Sequence, residues 1–120
     1  MLIVKQCRIE REQRENLDIL HLDGALDAYS FPRLEAALRG LREENRNNVI
    51  LDCTNLDYIS SASLGALIGF ARRARENGGD MKLVKLSSKI YSIVELLGFH
   101  KILEIHPDLE SAIRSFGSQG

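Results

Sequence analysis

The chain has 120 residues, of which 16 are Lys or Arg and 17 are Asp or Glu, so its formal net charge at pH 7 is −1. A chain of this length is expected to form one domain and to bury roughly two-thirds of its unfolded surface. The near-neutral balance lacks the broad basic field of nucleic-acid binding proteins, so DNA and RNA are not expected partners. No apolar run approaches the ~20 residues that cross a bilayer, and residues 1–5 lack the start of a signal peptide. We therefore expect a cytoplasmic protein that does not insert into a membrane.

The two cysteines do not form a metal-binding pattern. Cys7 and Cys53 lie far apart, each inside a strand-like run, and neither a Cys-x-x-Cys pair nor a histidine cluster accompanies them. Buried, reduced thiols are the expected state. The sequence predicts neither a metal site nor another cofactor.

In the first half of the chain, hydrophobic periodicity predicts strands and a helix. Apolar positions in residues 2–9 and 17–22 predict two antiparallel strands, which the polar turn at residues 10–16 joins. Ser30 is a candidate cap for a helix that has Pro32 at its second position. The short apolar run at residues 49–53 is typical of a strand that is covered on both faces.

The second half predicts further strands and helices in alternation. Residues 64–77 have the apolar spacing of a helix, residues 81–86 and 102–105 read as strands, and the segment 117–120 reads as a frayed tail. Ser87 or Ser88 is expected to cap another helix, and a last one is expected to run from Leu109 to Phe116. Such alternation implies parallel pairing through right-handed crossovers. We predict a single α/β domain with a mixed, mostly parallel sheet of four or five strands and about four helices.

Three serines lie where the third predicted strand leads into a helix: Ser60, Ser61 and Ser63. Backbone N–H groups at the start of a helix lack intrahelical partners, and the helix dipole favours negative charge there. The segment has neither a phosphate-gripping Gly-Lys-Ser/Thr nor a nucleophilic Gly-x-Ser-x-Gly, and no histidine is spaced to act as a base. The serines therefore resemble a phosphorylation target more than a catalytic centre, although the residues alone fit simple helix capping as well.

The loop at residues 24–29 follows the second predicted strand and should lie beside the serines. The carboxyl ends of parallel strands meet at one edge of a sheet, which is where such folds place their sites. We therefore expect the two loops to form one surface. Asp27 is interpreted either as a contact to a partner or as a residue that stabilises the turn.

Five segments in this order resemble a STAS domain of the bacterial anti-sigma-factor antagonist type. They are Gly24-Ala25-Leu26-Asp27, the strand at residues 49–52, Ser-Ser-x-x-Leu-Gly from Ser60, Gly78-Gly79, and Leu97-Gly98. The resemblance spans about residues 2–116. It implies a STAS domain at residues 1–116 and a flexible tail at residues 117–120.

The resemblance implies a protein that is modified and does not catalyse a reaction. The unphosphorylated antagonist binds a serine kinase that doubles as an anti-sigma factor, which frees the sigma factor for transcription. The kinase then phosphorylates the antagonist and ejects it, and a metal-dependent serine phosphatase restores the first state. On this resemblance Ser61 is the phosphoacceptor, with Ser60 and Ser63 as alternatives. The partner-binding residues implied are Asp27, Ala28, Tyr29, Ser60, Ser61, Ser63 and Leu64.

The serine segment also departs from the family pattern, which often reads Asp-Ser-Ser-Gly-Leu-Gly. This chain has Ser60 at the Asp position, Ala62 at the second Ser position and Ser63 at the first Gly position. The role of the aspartate is therefore unfilled. The alternative function is that of a STAS scaffold subunit in a transporter or a stress-signalling complex, whose serines only cap the helix.

Overall fold

Five strands form one sheet in the computed structural model, which describes residues 7–117. They are β1 (Arg8–Gln13), β2 (Asp18–Leu26), β3 (Asn48–Ile59), β4 (Asp80–Val84) and β5 (Glu104–His106). Their order in the sheet follows the chain, β1 pairs with β2 in antiparallel fashion, and every other pair is parallel. The predicted α/β class and the mixed, mostly parallel sheet are thus confirmed.

Helices cover both faces of the sheet unequally. The elements are α1 (Phe31–Glu43), α2 (Ser61–Glu76), α3 (Ser88–Leu96), a short 3₁₀ turn (Phe99–Lys101) and α4 (Leu109–Ser115). Because side chains alternate along a strand, Leu20 and Leu22 face the larger core beneath α1, α2 and α3, whereas Ile19 faces a smaller core beneath α4. The face opposite α1 to α3 is therefore covered by one short helix.

A buried lysine fastens α4 to the sheet. Lys82 is 5% exposed, and its Nζ donates a hydrogen bond to Ser115 Oγ at 2.6 Å. The same ammonium group lies 3.3 Å from the Glu104 carboxylate and 4.3 Å from the centroid of the Phe116 ring. α4 contacts β3, β4 and β5. Beyond the apolar contact at Ile19, this face of β1 and β2 carries polar side chains such as Glu12 and His21.

The first strand lies further along the chain than predicted. β1 occupies residues 8–13, where the sequence predicted mostly a turn, and the tight connection closes through a hydrogen bond from Arg14 N to Leu17 O. β1 is an edge strand whose side chains are exposed or half-buried. It therefore carries charged residues and lacks the apolar signal on which the prediction relied. Residues 2–6 of the predicted strand lie outside the described residues.

β2 and β3 are longer than the predicted strands, and their extensions pair with each other. The parallel register runs from Asp18 opposite Val49 to Leu26 opposite Ile59, with irregularities between His21 and Asp23 and between Gly24 and Ala25. Such bulges break the strict alternation of side chains that identifies a strand in a sequence. The extensions carry the two predicted loops to a common end of the sheet.

The remaining boundaries differ from the predictions by a few residues. Helix α2 begins at Ser61, three residues before the predicted start, and β4 ends at Val84, two residues before the predicted end. β5 begins at Glu104, two residues after the predicted start, because the N–H groups of Ile102 and Leu103 bond back to Phe99 O in the 3₁₀ turn. Of the predicted tail, residues 118–120 lie outside the described residues. Within residues 7–117, no helix is long and apolar enough to cross a membrane.

Candidate functional site

The ends of β2 and β3 join the two loops that the sequence singled out. Leu26 lies opposite Ile59 in the register, and its carbonyl oxygen accepts hydrogen bonds from Ser60 N at 2.8 Å and from Ser63 Oγ at 3.4 Å. Neighbouring strands lie about 4.8 Å apart, so the loop that begins at Asp27 runs directly beside the start of α2. The two loops therefore share one edge of the sheet.

Two of the three serine hydroxyls are used by the structure itself. Ser60 is the N-cap of α2, where its Oγ accepts a hydrogen bond from Ser63 N at 3.1 Å. The Ser60 hydroxyl also donates to Ser63 Oγ at 3.0 Å. Ser63 is completely buried between the loops. These contacts satisfy one of the backbone N–H groups that a helix start leaves open, which explains why the helix begins here.

Ser61 differs from both neighbours. It is the first residue of α2, its side chain is exposed, and among the described residues its hydroxyl makes no hydrogen bond. The N–H groups of Ser61 and Ala62 stand at helix positions that have no intrahelical acceptor. An anionic group on Ser61 is thus close to the positive end of the helix dipole.

Ser63 and Leu64 do not reach the surface that the sequence assigned to them. Both residues have 0% exposure, and Leu64 packs into the main core. Leu64 belongs to the apolar stripe of α2, and Ser63 points towards the carbonyl of Leu26. Their predicted direct contact with a partner is therefore corrected: in this conformation they support the site from beneath.

Asp27 organises the loop after β2. Its Oδ1 accepts hydrogen bonds from Tyr29 N at 3.0 Å and from Ser30 N at 3.1 Å. The hydrogen bond from the Ser30 backbone is the main reason that the pKa of Asp27 lies below its usual value. Ser30 occupies the predicted N-cap position of α1, but its side chain makes no capping bond to the helix. Instead, Ser30 Oγ accepts from Asp27 N at 2.9 Å and donates to Ala25 O at 2.7 Å.

The loop presents an aromatic side chain to solvent. Tyr29 is 87% exposed, and Ala28 beside it is exposed as well. Tyr58, close to the end of β3, is 45% exposed. The outward surface of the site thus combines Ala28, Tyr29 and Ser61, with Asp27 and Ser60 half-buried between them.

Sequence reasoning missed a histidine that bridges three strands on the open face of the sheet. His21 Nδ1 lies 2.8 Å from Asp52 Oδ2, and Nε2 lies 2.9 Å from Glu12 Oε1. Burial opposes the charged form of His21, but the hydrogen bonds to Glu12 and Asp52 prevail and raise its pKa. The only sequence signal was a polar residue between the apolar neighbours Leu20 and Leu22. Its partners lie on other strands and could not be read from spacing.

The two cysteines are buried and free. Burial raises the pKa of the Cys7 and Cys53 thiols, so both remain protonated and unreactive at neutral pH. Across residues 7–117, no group of three or more His, Cys, Asp or Glu side chains is placed to hold a metal ion.

Comparison with known proteins identifies the family. The family model for the STAS domain matches residues 8–112. BtrV of Bordetella bronchiseptica is provisionally named an anti-sigma factor antagonist. It is 28% identical to this chain over 109 residues, which are 91% of this chain and 94% of BtrV. The anti-sigma-B factor antagonist of Staphylococcus aureus is 22% identical over 102 residues, covering 85% of this chain and 94% of that protein.

Solved structures show the same fold. The crystal structure of an anti-sigma factor antagonist from Mycobacterium paratuberculosis superposes with a TM-score of 0.83 at 17% identity, covering 92% of this chain and 94% of that one. SpoIIAA in its unphosphorylated form gives a TM-score of 0.77 at 17% identity over 90% of this chain and 95% of that one. Bacillus SpoIIAA in its phosphorylated form gives 0.70 at 16% identity over 90% and 99%.

Proposed function

Because the chain belongs to the STAS domain family, we propose that it is an anti-sigma factor antagonist whose binding is switched by phosphorylation of Ser61. In the unphosphorylated state it binds a serine kinase that also acts as an anti-sigma factor. The kinase transfers phosphate to Ser61 and the complex separates. A metal-dependent serine phosphatase then regenerates the binding state.

The main support for this proposal is the difference in hydrogen bonding and exposure among the three serine hydroxyls. Ser60 Oγ is engaged with Ser63, Ser63 is buried, and only Ser61 is exposed with a hydroxyl that needs no partner for the fold. A kinase must reach the acceptor oxygen without unfolding the helix. Ser61 meets this requirement, whereas phosphorylation of Ser60 or Ser63 removes a hydrogen bond that holds the start of α2.

The surroundings of Ser61 explain how a phosphate weakens binding. A phosphoserine carries about −1.5 to −2 charges at pH 7, and burying it in an interface costs free energy unless cations pair with it. Asp27 lies in the adjacent loop, and its lowered pKa keeps it ionised at neutral pH. The phosphate therefore adds further negative charge beside Asp27, which a bound partner must desolvate. Where the phosphate faces an acidic group of the partner, the like-charge mismatch across the interface costs several kcal/mol.

The structure also suggests what replaces the family's aspartate. Asp and Ser are both strong N-cap residues because each has a side-chain oxygen that accepts from the helix backbone. Ser60 makes this bond to Ser63 N. In this proposal the capping function is retained and only the carboxylate charge is lost. The names of the relatives and the existence of SpoIIAA in a phosphorylated form agree with the proposed role.

The same geometry speaks against Ser61 as a catalytic nucleophile. A nucleophilic serine needs a base within hydrogen-bond distance. In the described part of the chain, His21 is bonded to two carboxylates, and His106 is bonded to Ser111 and Glu104. The Nδ1 atom of His100 has no hydrogen-bond partner among the described residues, but this residue precedes β5 and so lies at the opposite end of the parallel strands from Ser61. The proposed protein is modified by a kinase and has no catalytic activity of its own.

The test is co-purification of the tagged chain with its endogenous partners, followed by addition of ATP to the recovered complex. We expect one phosphate on Ser61 by peptide mapping and loss of the kinase from the complex. Ser61→Ala should bind the kinase but remain unmodified and bound. Ser88→Ala is a matched control, because Ser88 is also an exposed first helical residue behind a serine N-cap. It should behave as the parent chain does.

Two outcomes would contradict this proposal. A phosphate found on Ser60 or Ser63 would show that Ser61 is not the phosphoacceptor. An unmodified chain in a complex with a kinase that phosphorylates other substrates would leave only the scaffold function.

A further inference from the structure

We propose that Tyr29 is the main anchor of the partner-binding surface and that Asp27 is a positioning residue, which holds the Tyr29 loop rather than contacting the partner through its charge. This inference rests on the proposed function and assigns separate tasks to two residues of the same site. The partner it fits is a protein with an apolar pocket that has a hydrogen-bonding group at its base for the phenol hydroxyl.

The hydrogen bonds of Asp27 point into its own loop. Oδ1 accepts from the N–H groups of both Tyr29 and Ser30, and the backbone N–H of Asp27 donates to Ser30 Oγ. Ser30 is in turn fixed to Ala25 O at 2.7 Å. This closed set of bonds fixes the backbone on both sides of Tyr29. The carboxylate acts through its position as an acceptor, as Asp and Asn side chains do in many turns.

Tyr29 has the exposure expected of an anchor. It is 87% exposed, whereas Tyr58 and Tyr91 are 45% and 37% exposed. A tyrosine buries a large area in a partner's pocket and loses little side-chain entropy, and such residues are enriched among those that dominate binding energy. Because its backbone is held in place, little further ordering is needed when a partner binds.

The anchor and the modification site belong to one rigid edge. Ser60 N and Ser63 Oγ both donate to the carbonyl of Leu26, the residue immediately before Asp27. A partner that takes up Tyr29 therefore covers the start of α2. A phosphate on Ser61 lies beneath the same partner surface and opposes the docking of Tyr29.

The experiment compares affinities of variants for the kinase recovered in the co-purification described above. Tyr29→Ala should weaken binding about thirtyfold, as expected of an anchor. Tyr91→Ala is the matched control, because Tyr91 is an exposed tyrosine on α3, and it should change affinity less than about threefold.

Variants of Asp27 separate the positioning role from a charge contact. Asp27→Asn keeps an acceptor oxygen and loses the charge, so it should bind within about threefold of the parent, whereas Asp27→Ala should weaken binding about tenfold. The double variant Asp27→Ala with Tyr29→Ala should be no weaker than Tyr29→Ala alone, since positioning has no value without the anchor.

Amide hydrogen exchange gives a readout that needs no partner. The N–H groups of Tyr29 and Ser30 should remain protected in Asp27→Asn and exchange faster in Asp27→Ala.

If Asp27→Asn binds as weakly as Asp27→Ala while these amides stay protected, Asp27 contacts the partner through its charge and the positioning role is overturned. Unchanged affinity of Tyr29→Ala overturns the anchor. A parent chain that binds no kinase overturns the proposed function itself, and this inference with it.

Discussion

Ser60 and Ser61 are neighbours, yet the structure gives their hydroxyls different tasks. Ser60 caps α2 through Ser63 N, whereas Ser61 makes no such bond. Replacing an N-cap serine by alanine costs about 1 kcal/mol. We expect Ser60→Ala to lower the free energy of unfolding by about that amount, and Ser61→Ala to change it by less than about 0.5 kcal/mol. Urea unfolding of both variants beside the parent measures this difference.

Ser60→Asp supplies the control for that experiment. Aspartate caps helices as well as serine does, so this variant should retain the stability of the parent while restoring the family's residue. Equal losses in Ser60→Ala and Ser61→Ala would show that the cap is not made as the structure has it.

Gly79 marks a place where a single methyl group has no room. A Cβ on Gly79 would overlap the backbone oxygen of Asn47, which is hydrogen-bonded to Asp80 N and cannot move away freely. Gly79→Ala should therefore destabilise the chain by about 1–3 kcal/mol. Gly69→Ala is the matched control, because Gly69 lies on the exposed side of α2 with nothing within 4 Å of a Cβ. It should stabilise by about 0.5–1 kcal/mol, and thermal unfolding of the two variants decides the comparison.

At the scale of elements, His21 connects β1, β2 and β3 through its two ring nitrogens. Its partners Glu12 and Asp52 have lowered pKa values, so both are ionised acceptors near neutral pH. A neutral imidazole has one donor and one acceptor nitrogen, and only the imidazolium donates on both sides. The geometry of this three-strand bridge therefore requires a protonated His21.

This bridge makes stability depend on pH with a definite sign. Because the pKa of His21 is raised in the folded chain, its contribution is fully present below the unfolded value of about 6.5 and is lost as the pH rises through the folded pKa. We expect the difference in unfolding free energy between the parent and His21→Gln to shrink steadily above about pH 6.5. The other two histidines are present in both the parent and the variant, so their contributions to this free-energy difference cancel. A difference that stays constant across this range would mean that His21 is not protonated in the bridge.

The sequence predicted those elements whose apolar residues face a core. It misplaced the edge strand β1 and missed the extensions of β2 and β3, which depend on pairing with residues far away in the chain. β3 and α2 have buried apolar positions at regular spacing, so their existence followed from periodicity. β1 has no such spacing because it is an edge strand with exposed charged side chains. The joined extensions of β2 and β3 depend on bulges and on pairing between strands, which a local pattern does not encode.

The candidate site was likewise predicted only in part. The parallel topology placed the two loops at one edge, and the helix start near Ser61 followed from capping rules. The burial of Leu64 agrees with its place in the apolar stripe of α2, whereas the burial of Ser63 was not predictable, because it depends on how closely α2 packs against the end of β2. The sequence left Asp27 between a partner contact and a turn-stabilising role, and only the folded loop shows that its carboxylate accepts hydrogen bonds from the N–H groups of Tyr29 and Ser30.

At the scale of the whole molecule, the site is separate from the parts that hold the fold together. The main core lies beneath α1, α2 and α3, and the smaller core beneath α4 is fastened by Lys82. Ser61 is exposed at the start of a 16-residue helix and contributes to neither core. A charge added there meets a helix dipole that favours it by about 0.3–1 kcal/mol. The domain should therefore tolerate phosphorylation without rearranging.

We accordingly expect phosphorylation of Ser61 to change binding and leave stability almost unaltered. The free energy of unfolding should shift by less than about 1 kcal/mol, because the dipole favours the added charge. The affinity for the kinase should fall about a hundredfold, the result of an interface penalty of roughly 3 kcal/mol. Ser61→Asp carries one charge and fewer acceptor oxygens, so it should weaken binding less than phosphate does. Calorimetric titration and thermal unfolding of the same phosphorylated sample measure both quantities. A large loss of stability together with the loss of binding would mean that the switch acts by unfolding the start of α2, because a charge confined to the interface cannot lower the stability of the free chain.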